Sequence, residues 1–383
     1  MKILVTVGIF PPDIGGPATF VPEIVNHLQN EHNYEIDILT LSDNQNLNIK
    51  NEFSVSKINR NLPLPYRWFS TILKIYKLAK DKDLIFVNGL GTETTIANIF
   101  LKKKIIRKIV GDPVWERAYN KSKTSYSFDD FQENDNGIFI LLQKKIRNFS
   151  IKRSDIVVTP SQHLKNFVID LGYKNKIESI NNGVKMPKES TKIFQNNQLS
   201  ITILSRLVPH KNIDKVIKAI SNLNNPFIKL NIVGEGPEID RLKSISSKSD
   251  YKNNIVFHGK LNREDINRIF LNTDLFIQAS NYEGLPHSLL EAMSFGIPVL
   301  CTPVGDCKEI LENEDRGYML DLPVSQDNIK SKIAKIINEK DIAVTKGQKG
   351  KDLVFEKYNF KNTFNLYKKL FTNLVAVSYT HLT

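Results

Sequence analysis

Residues 275–302 read LFIQASNYEGLPHSLLEAMSFGIPVLCT. An apolar run of strand length, 275–279, is followed by a loop holding Glu283, Gly284 and Leu285. A segment with helical apolar spacing, 286–295, comes next, and a second apolar run at 297–302 closes the unit. Pro286 suits the first helical turn, where its missing N–H costs nothing. Strand, helix and strand in succession predict a parallel sheet wrapped by helices.

The alternation extends outward from this stretch. Strands are expected at 201–205, 227–233 and 255–258, and helices at 212–223, 238–246 and 263–272. An earlier series has strands at 3–7, 35–41, 84–88, 105–110 and 155–159. Its helices fall at 18–29, 68–79, 94–100 and 162–171, the last closed by Gly172. The polar segment 181–199 reads as a linker. The fold class is therefore α/β, with two doubly wound Rossmann-like domains, 1–184 and 185–358, facing a cleft. Ligands of such sheets bind at the carboxyl ends of the strands. The polar stretch 119–137 is expected to be a mobile loop near the cleft. Residues 375–383 do not continue the helical pattern before them and are set aside as a tail.

The chain has 383 residues, of which 41% are hydrophobic and 25% charged, enough apolar material to exclude general disorder. No apolar run approaches the roughly 18 residues of a membrane span. The first residues are a strand and not a signal peptide, and Cys301 and Cys307 are expected to be reduced, which together favour a cytoplasmic protein. The net charge is +12. It concentrates at 101–108 and at Lys144, Lys145, Arg147, Lys152 and Arg153, which read as solvated faces or as contacts with an anionic membrane surface. No nucleic-acid-binding motif accompanies the charge, so no nucleic-acid partner is expected.

Three loops carry candidate chemistry. Gly15 and Gly16 precede a helix whose free amides suit a phosphate. Arg206 and Lys211 follow a strand of the second domain, where a guanidinium fork and an ammonium suit a diphosphate. Glu283 and Glu291 frame the loop and helix of the opening stretch. Carboxylates there can accept from sugar and ribose hydroxyls, and the amides just after Pro286, beyond Gly284 and Leu285, would point into the cleft.

In order and spacing these motifs resemble the retaining GT-B glycosyltransferases of family 4. The resemblance runs to about residue 374 and includes Asn182-Gly183-Val184, Val233-Gly234-Glu235-Gly236-Pro237 and Phe257-His258-Gly259. It implies a nucleotide-diphosphate sugar donor held mainly by the second domain. Arg206 and Lys211 would hold the diphosphate, approached by Gly15 and Gly16. Glu283 would contact the sugar, Glu291 the ribose, and the backbone at His258 and Gly259 the base. A C-terminal helix, 359–374, would cross back to the first domain. Asp306 departs from the pattern, which often has a second glycine after Gly305, and this leaves that loop's role open.

The expected reaction is transfer to an acceptor hydroxyl with retention, in cell-surface polysaccharide or glycolipid synthesis, the acceptor being a saccharide or a lipid-linked one. Asp112, before Pro113, is the acceptor-side candidate for orienting or deprotonating that hydroxyl. No cofactor and no metal is expected: Asp81-Lys82-Asp83 precedes its strand and reads as a solvated turn, and the histidines lack ligand spacing. A nucleotide-sugar epimerase or a phosphorylase on the same fold and a non-catalytic nucleotide-sugar-binding subunit remain alternatives. A dinucleotide oxidoreductase lacks its third glycine, because Ile239 occupies that position.

Overall fold

The computed structural model describes residues 1–13, 15–43, 53–134, 137–189, 191, 193–194 and 198–380, with the side chains of Glu31 and of 375–380 excepted. The chain divides into two compact units. The first comprises Met1–Val114, Asp135–Asn181 and the residues from Thr363 onward; the second comprises Trp115–Asn134 and Asn182–Asn362.

Among the described residues the first unit has seven strands: β1 (Lys2–Val7), β2 (Glu35–Ser42), β3 (Ser54–Asn59), β4 (Leu84–Asn88), β5 (Lys104–Lys108), β6 (Ile156–Thr159) and β7 (Lys176–Ser179). They pair in parallel in the order β3-β2-β1-β4-β5-β6-β7. The central strands are the continuous apolar runs, buried on both faces as a parallel sheet requires. Sequence reading misses β3 and β7. Both are polar, half-exposed edges, so they show no apolar run. The helices are α1 (Gly16–His32), α2 (Leu64–Ala79), α3 (Gly91–Leu101), α4 (Pro113–Asn120), α5 (Phe128–Glu133), α6 (Ile138–Lys152) and α7 (Gln162–Asp170), of which α5 and most of α4 belong to the second unit.

The second unit carries β8 (Leu199–Leu204), β9 (Ile228–Val233), β10 (Ile255–Gly259), β11 (Leu275–Gln278), β12 (Val299–Cys301) and β13 (Tyr318–Met319), all parallel, in the order β10-β9-β8-β11-β12-β13. Its helices are α8 (Ile213–Ser221), α9 (Ile239–Ser247), α10 (Arg263–Leu271), α11 (His287–Ser294), α12 (Cys307–Leu311), α13 (Gln326–Asn338) and α14 (Lys340–Lys357). Ile203, Leu230, Ile277 and Leu300 form its core with Ile217 of α8 and Ile333 of α13.

The last helix, α15 (Phe360–Thr380), packs in the first unit. Tyr367 lies 5.4 Å from Phe20 of α1 and Phe371 lies 5.3 Å from Phe86 of β4, ring centre to ring centre. It continues past residue 374, where the sequence pattern weakens, so the expected end is too early; residues 381–383 of the expected tail lie outside the described residues.

The charge reading is corrected in three places. Arg107 and Lys108 lie on β5 and Lys144 and Arg147 on the inward side of α6, all buried. Arg107 donates to Ser150 Oγ (2.8 Å), Ser154 Oγ (2.9 Å) and the Gly91 carbonyl (3.1 Å), and burial pulls its pKa down to about 10. The Asp81-Lys82-Asp83 turn is not wholly solvated: Lys82 is buried and pairs with Asp37 at 2.7 Å.

Candidate functional site

In the second sheet β8 has β9 on one side and β11 on the other. The chain leaves β8 toward β9 and later resumes with β11 across the start, so the loops after β8 and β11 part from each other. A crevice opens at such a switch point. Lys211 lies on the first of these loops and Glu283 on the second, and they meet in an ion pair. Ser280 Oγ donates to the same oxygen, Glu283 Oε1, at 2.6 Å.

The two loops are braced from below. Asn212, left-handed at φ 51°, donates through Nδ2 to the Ala279 carbonyl (2.8 Å) and to Asn281 Oδ1 (2.7 Å). Thr302 Oγ1 donates to the Ser280 carbonyl at 2.6 Å. Gly305 has φ +54°, and a Cβ there would stand 2.1 Å from the Glu283 carbonyl, so glycine is required at this approach. Asp306 has ordinary helical backbone (φ −81°) at the start of α12, which is why a side chain is tolerated beside Gly305. Neither sulfur of Cys301 and Cys307 is in a disulfide; both are buried behind the site.

Arg206 is exposed on the loop after β8, one turn of chain before Lys211. Gly284, Leu285 and Pro286 are buried on the loop after β11, and helix α11 begins at His287, with Pro286 as its N-cap and not its first helical residue. Glu291, in the second turn of α11, is bound by Arg263 of α10, Nη1 to Oε1 at 2.6 Å. That arginine was not singled out from the sequence, because it is 28 residues from its partner. Gly259 ends β10 at φ +64°, and His258 Nε2 lies 2.9 Å from Asn231 Oδ1. Burial and Lys229 lower the His258 pKa.

The largest departure from the sequence reading concerns the loop expected at 119–137, of which 135 and 136 lie outside the described residues. The segment forms no simple mobile loop: most of α4, with α5, belongs to the second unit and covers the residues flanking the ion pair. Tyr282 stacks on Phe128 at 4.6 Å and meets Trp115 at 4.5 Å. Asn281 Nδ2 donates to the Tyr119 hydroxyl at 2.9 Å. His210 Nδ1 lies 2.9 Å from Asn120 Oδ1. Burial, then Lys211 and Arg206, pull the His210 pKa down to about 3, so the imidazole is neutral at physiological pH. With a neutral ring, Nδ1–H donates to the amide oxygen. The signal for α5 was in the sequence: Ser127 caps the helix by accepting from the Asp130 amide at 3.2 Å, and Phe128 and Phe131, three apart, are both buried.

In the first unit, Gly15 is the N-cap of α1 and Gly16 its first residue, at the carboxyl end of β1. Asp13 in the same loop is paired with Arg60. Asp112 is fully buried. Its carboxylate pairs with Arg147 of α6 and accepts from the Val114 amide at 2.9 Å, fixing the start of α4. The group expected to meet an acceptor hydroxyl thus has no solvent-reaching surface, and its geometry is that of a structural pair.

Two family descriptions tile the chain. "Glycosyltransferase Family 4" matches residues 14–186, and "Glycosyl transferases group 1" matches residues 187–352. A Methanocaldococcus jannaschii protein named "Uncharacterized glycosyltransferase MJ1069" is 28% identical over 98% of this chain and 99% of its own length. The "O-antigen biosynthesis glycosyltransferase WbnH" of Escherichia coli is 27% identical over 85% of this chain and 88% of its own. The crystal structure of Anabaena Alr3699/HepE in complex with UDP-glucose superposes with a TM-score of 0.78 at 17% identity, covering 97% of this chain and 100% of that one.

Proposed function

The chain belongs to the GT-B glycosyltransferases, and we propose that it moves a sugar from a nucleotide-diphosphate donor to an acceptor hydroxyl with retention at the anomeric carbon. The observation that carries the proposal is the Lys211–Glu283 pair at the switch point of the second sheet, with Arg206 exposed on the same loop as Lys211.

In the reaction the bond from the anomeric carbon to the diphosphate oxygen breaks, and its electron pair leaves with the diphosphate. Lys211 and Arg206 face that growing negative charge as fixed cations, which stabilises the departing group without reorganisation. Glu283 takes Lys211 and Ser280 on Oε1. This holds the ammonium in place and presents Oε2 to donor-sugar hydroxyls. The acceptor oxygen bonds to the anomeric carbon on the face the diphosphate leaves, and its proton passes to a departing phosphate oxygen. No carboxylate nucleophile and no metal is assigned. Glu291, oriented by Arg263, accepts from the ribose hydroxyls, and the backbone around Gly259 lines the base. In the first unit, Gly15 and Gly16 offer the free amides of α1 to an anion.

The name of the Escherichia coli relative supports a cell-surface saccharide, free or lipid-linked, as acceptor, and the UDP-glucose in the Anabaena protein makes UDP-sugars the first donors to test. Melting curves with UDP, GDP, ADP and their sugar conjugates test the donor. A ligand at about 100 times its Kd adds about 2.7 kcal/mol of stability. One nucleotide series should raise the melting temperature, and Arg206→Ala should reduce that rise. No shift with any nucleotide would overturn the donor assignment.

A further inference from the structure

We propose that the outer face of α2, α3 and α6 is a docking surface for an anionic lipid bilayer. The three helices lie side by side, α2 against α3 and α3 against α6. α2 turns Thr71, Ile75 and Ala79 inward, and on its far side Tyr66 (68%), Phe69 (63%) and Leu73 (42%) are exposed. α6 turns Ile140, Lys144, Arg147 and Ile151 inward. Its outer stripe holds Ile138 (84%), Leu142 (56%), Ile146 and Phe149, with Phe139 (78%) beside it. Phe100 (82%) and Ile99 extend the apolar surface at the end of α3. A protein that stays in water rarely leaves so many large apolar side chains uncovered on adjacent helices.

The charge on these helices identifies the occupant. Neither α2 nor α6 contains a single Asp or Glu, and α3 carries one, Glu93, in its first turn, at the end opposite Ile99 and Phe100. Lys77 and Lys80 end α2, Lys102 follows α3, and Lys145, Lys152 and Arg153 stand on or beside the outer stripe of α6, all exposed. An apolar stripe edged by lysine and arginine lies in the headgroup region, with the apolar side chains below it and the cations reaching the phosphates. A second copy of the chain would bring this cationic face against another like itself, which charge repulsion opposes. The sequence pointed only to runs of basic residues; Arg107, Lys108, Lys144 and Arg147 are buried, and large apolar side chains stand exposed beside the cations that remain outside. The proposal rests on this surface and not on the sugar-transfer reading, so donor binding succeeds or fails separately.

Co-sedimentation of the full chain with vesicles tests it. The chain should pellet with equal parts phosphatidylcholine and phosphatidylglycerol, should stay in solution with phosphatidylcholine alone, and should be released by high salt. Phe139→Gln with Leu142→Gln should weaken partitioning by about tenfold or more. Lys145→Glu with Lys152→Glu should cost about fivefold for each cation lost. These positions are exposed, and an unchanged melting temperature confirms that each variant is folded. Three results would each overturn the proposal: no pelleting with anionic vesicles, both double variants binding like the parent, or a solution dimer that Phe139→Gln dissociates.

Discussion

His210 shows how one residue links burial to the site. Its ring is held between the aromatic groups of α4 and the two cations Arg206 and Lys211, so protonation is opposed by desolvation and by like charge. The folded-state pKa of about 3 lies below the ordinary value of 6.5. The folded chain therefore binds fewer protons than the unfolded chain between these values, and His210 favours folding above pH 6.5 and ceases to as pH falls toward 3. Stability should decline below pH 6.5 with a contribution approaching about 1.4 kcal/mol per pH unit. Urea unfolding from pH 7.5 to 5 checks this: His210→Asn should flatten the decline relative to the parent, and equal slopes would contradict the assignment. Lys211 and Glu283 are a different case. Their residue types and their places after strands were legible, but the ion pair itself, across 72 residues, was not.

At the scale of elements, the apolar central strands and amphipathic helices were legible because burial on both faces, or on one stripe, writes a pattern into the sequence. The edge strands β3 and β7 were not, since a polar edge has no such pattern. The stretch 119–137 was misread for another reason. Its polarity suits a loop, yet Trp115 and Phe128 dock it through contacts with Tyr282, far along the chain, and Phe131 is buried with them. Tyr282 adjoins Glu283, so the docked segment fixes the carboxylate's backbone. Phe128→Ala should lower stability by about 3 kcal/mol, on the scale of an aromatic truncated in a core, and should lower kcat for sugar transfer in the folded fraction. Phe128→Tyr, which keeps the stacked ring, should restore both. A folded Phe128→Ala protein with the parent's kcat would show that α5 does not position Glu283.

At the scale of the whole chain, each unit is a parallel sheet with its own core, and the sequence order does not separate them cleanly. The second unit takes 115–134 from the N-terminal half, and the first takes the chain's last helix. A cut at the polar segment near residue 185 would leave Tyr282 without Phe128 and Phe20 without Tyr367. The alternation of strands and helices made the two-sheet architecture readable, whereas these exchanges depend on packing across long sequence separations. The chemistry converges on the loops after β8 and β11 of the second sheet, where Lys211 and Glu283 meet. The direct test is the rate of nucleoside diphosphate release from the donor that stabilises the fold, measured with acceptor for the parent, Lys211→Ala and Glu283→Ala. Each substitution should lose about 2–4 kcal/mol of transition-state stabilisation while the fold persists. Release at near the parental rate in either folded variant would contradict the assignment of this pair to the reaction.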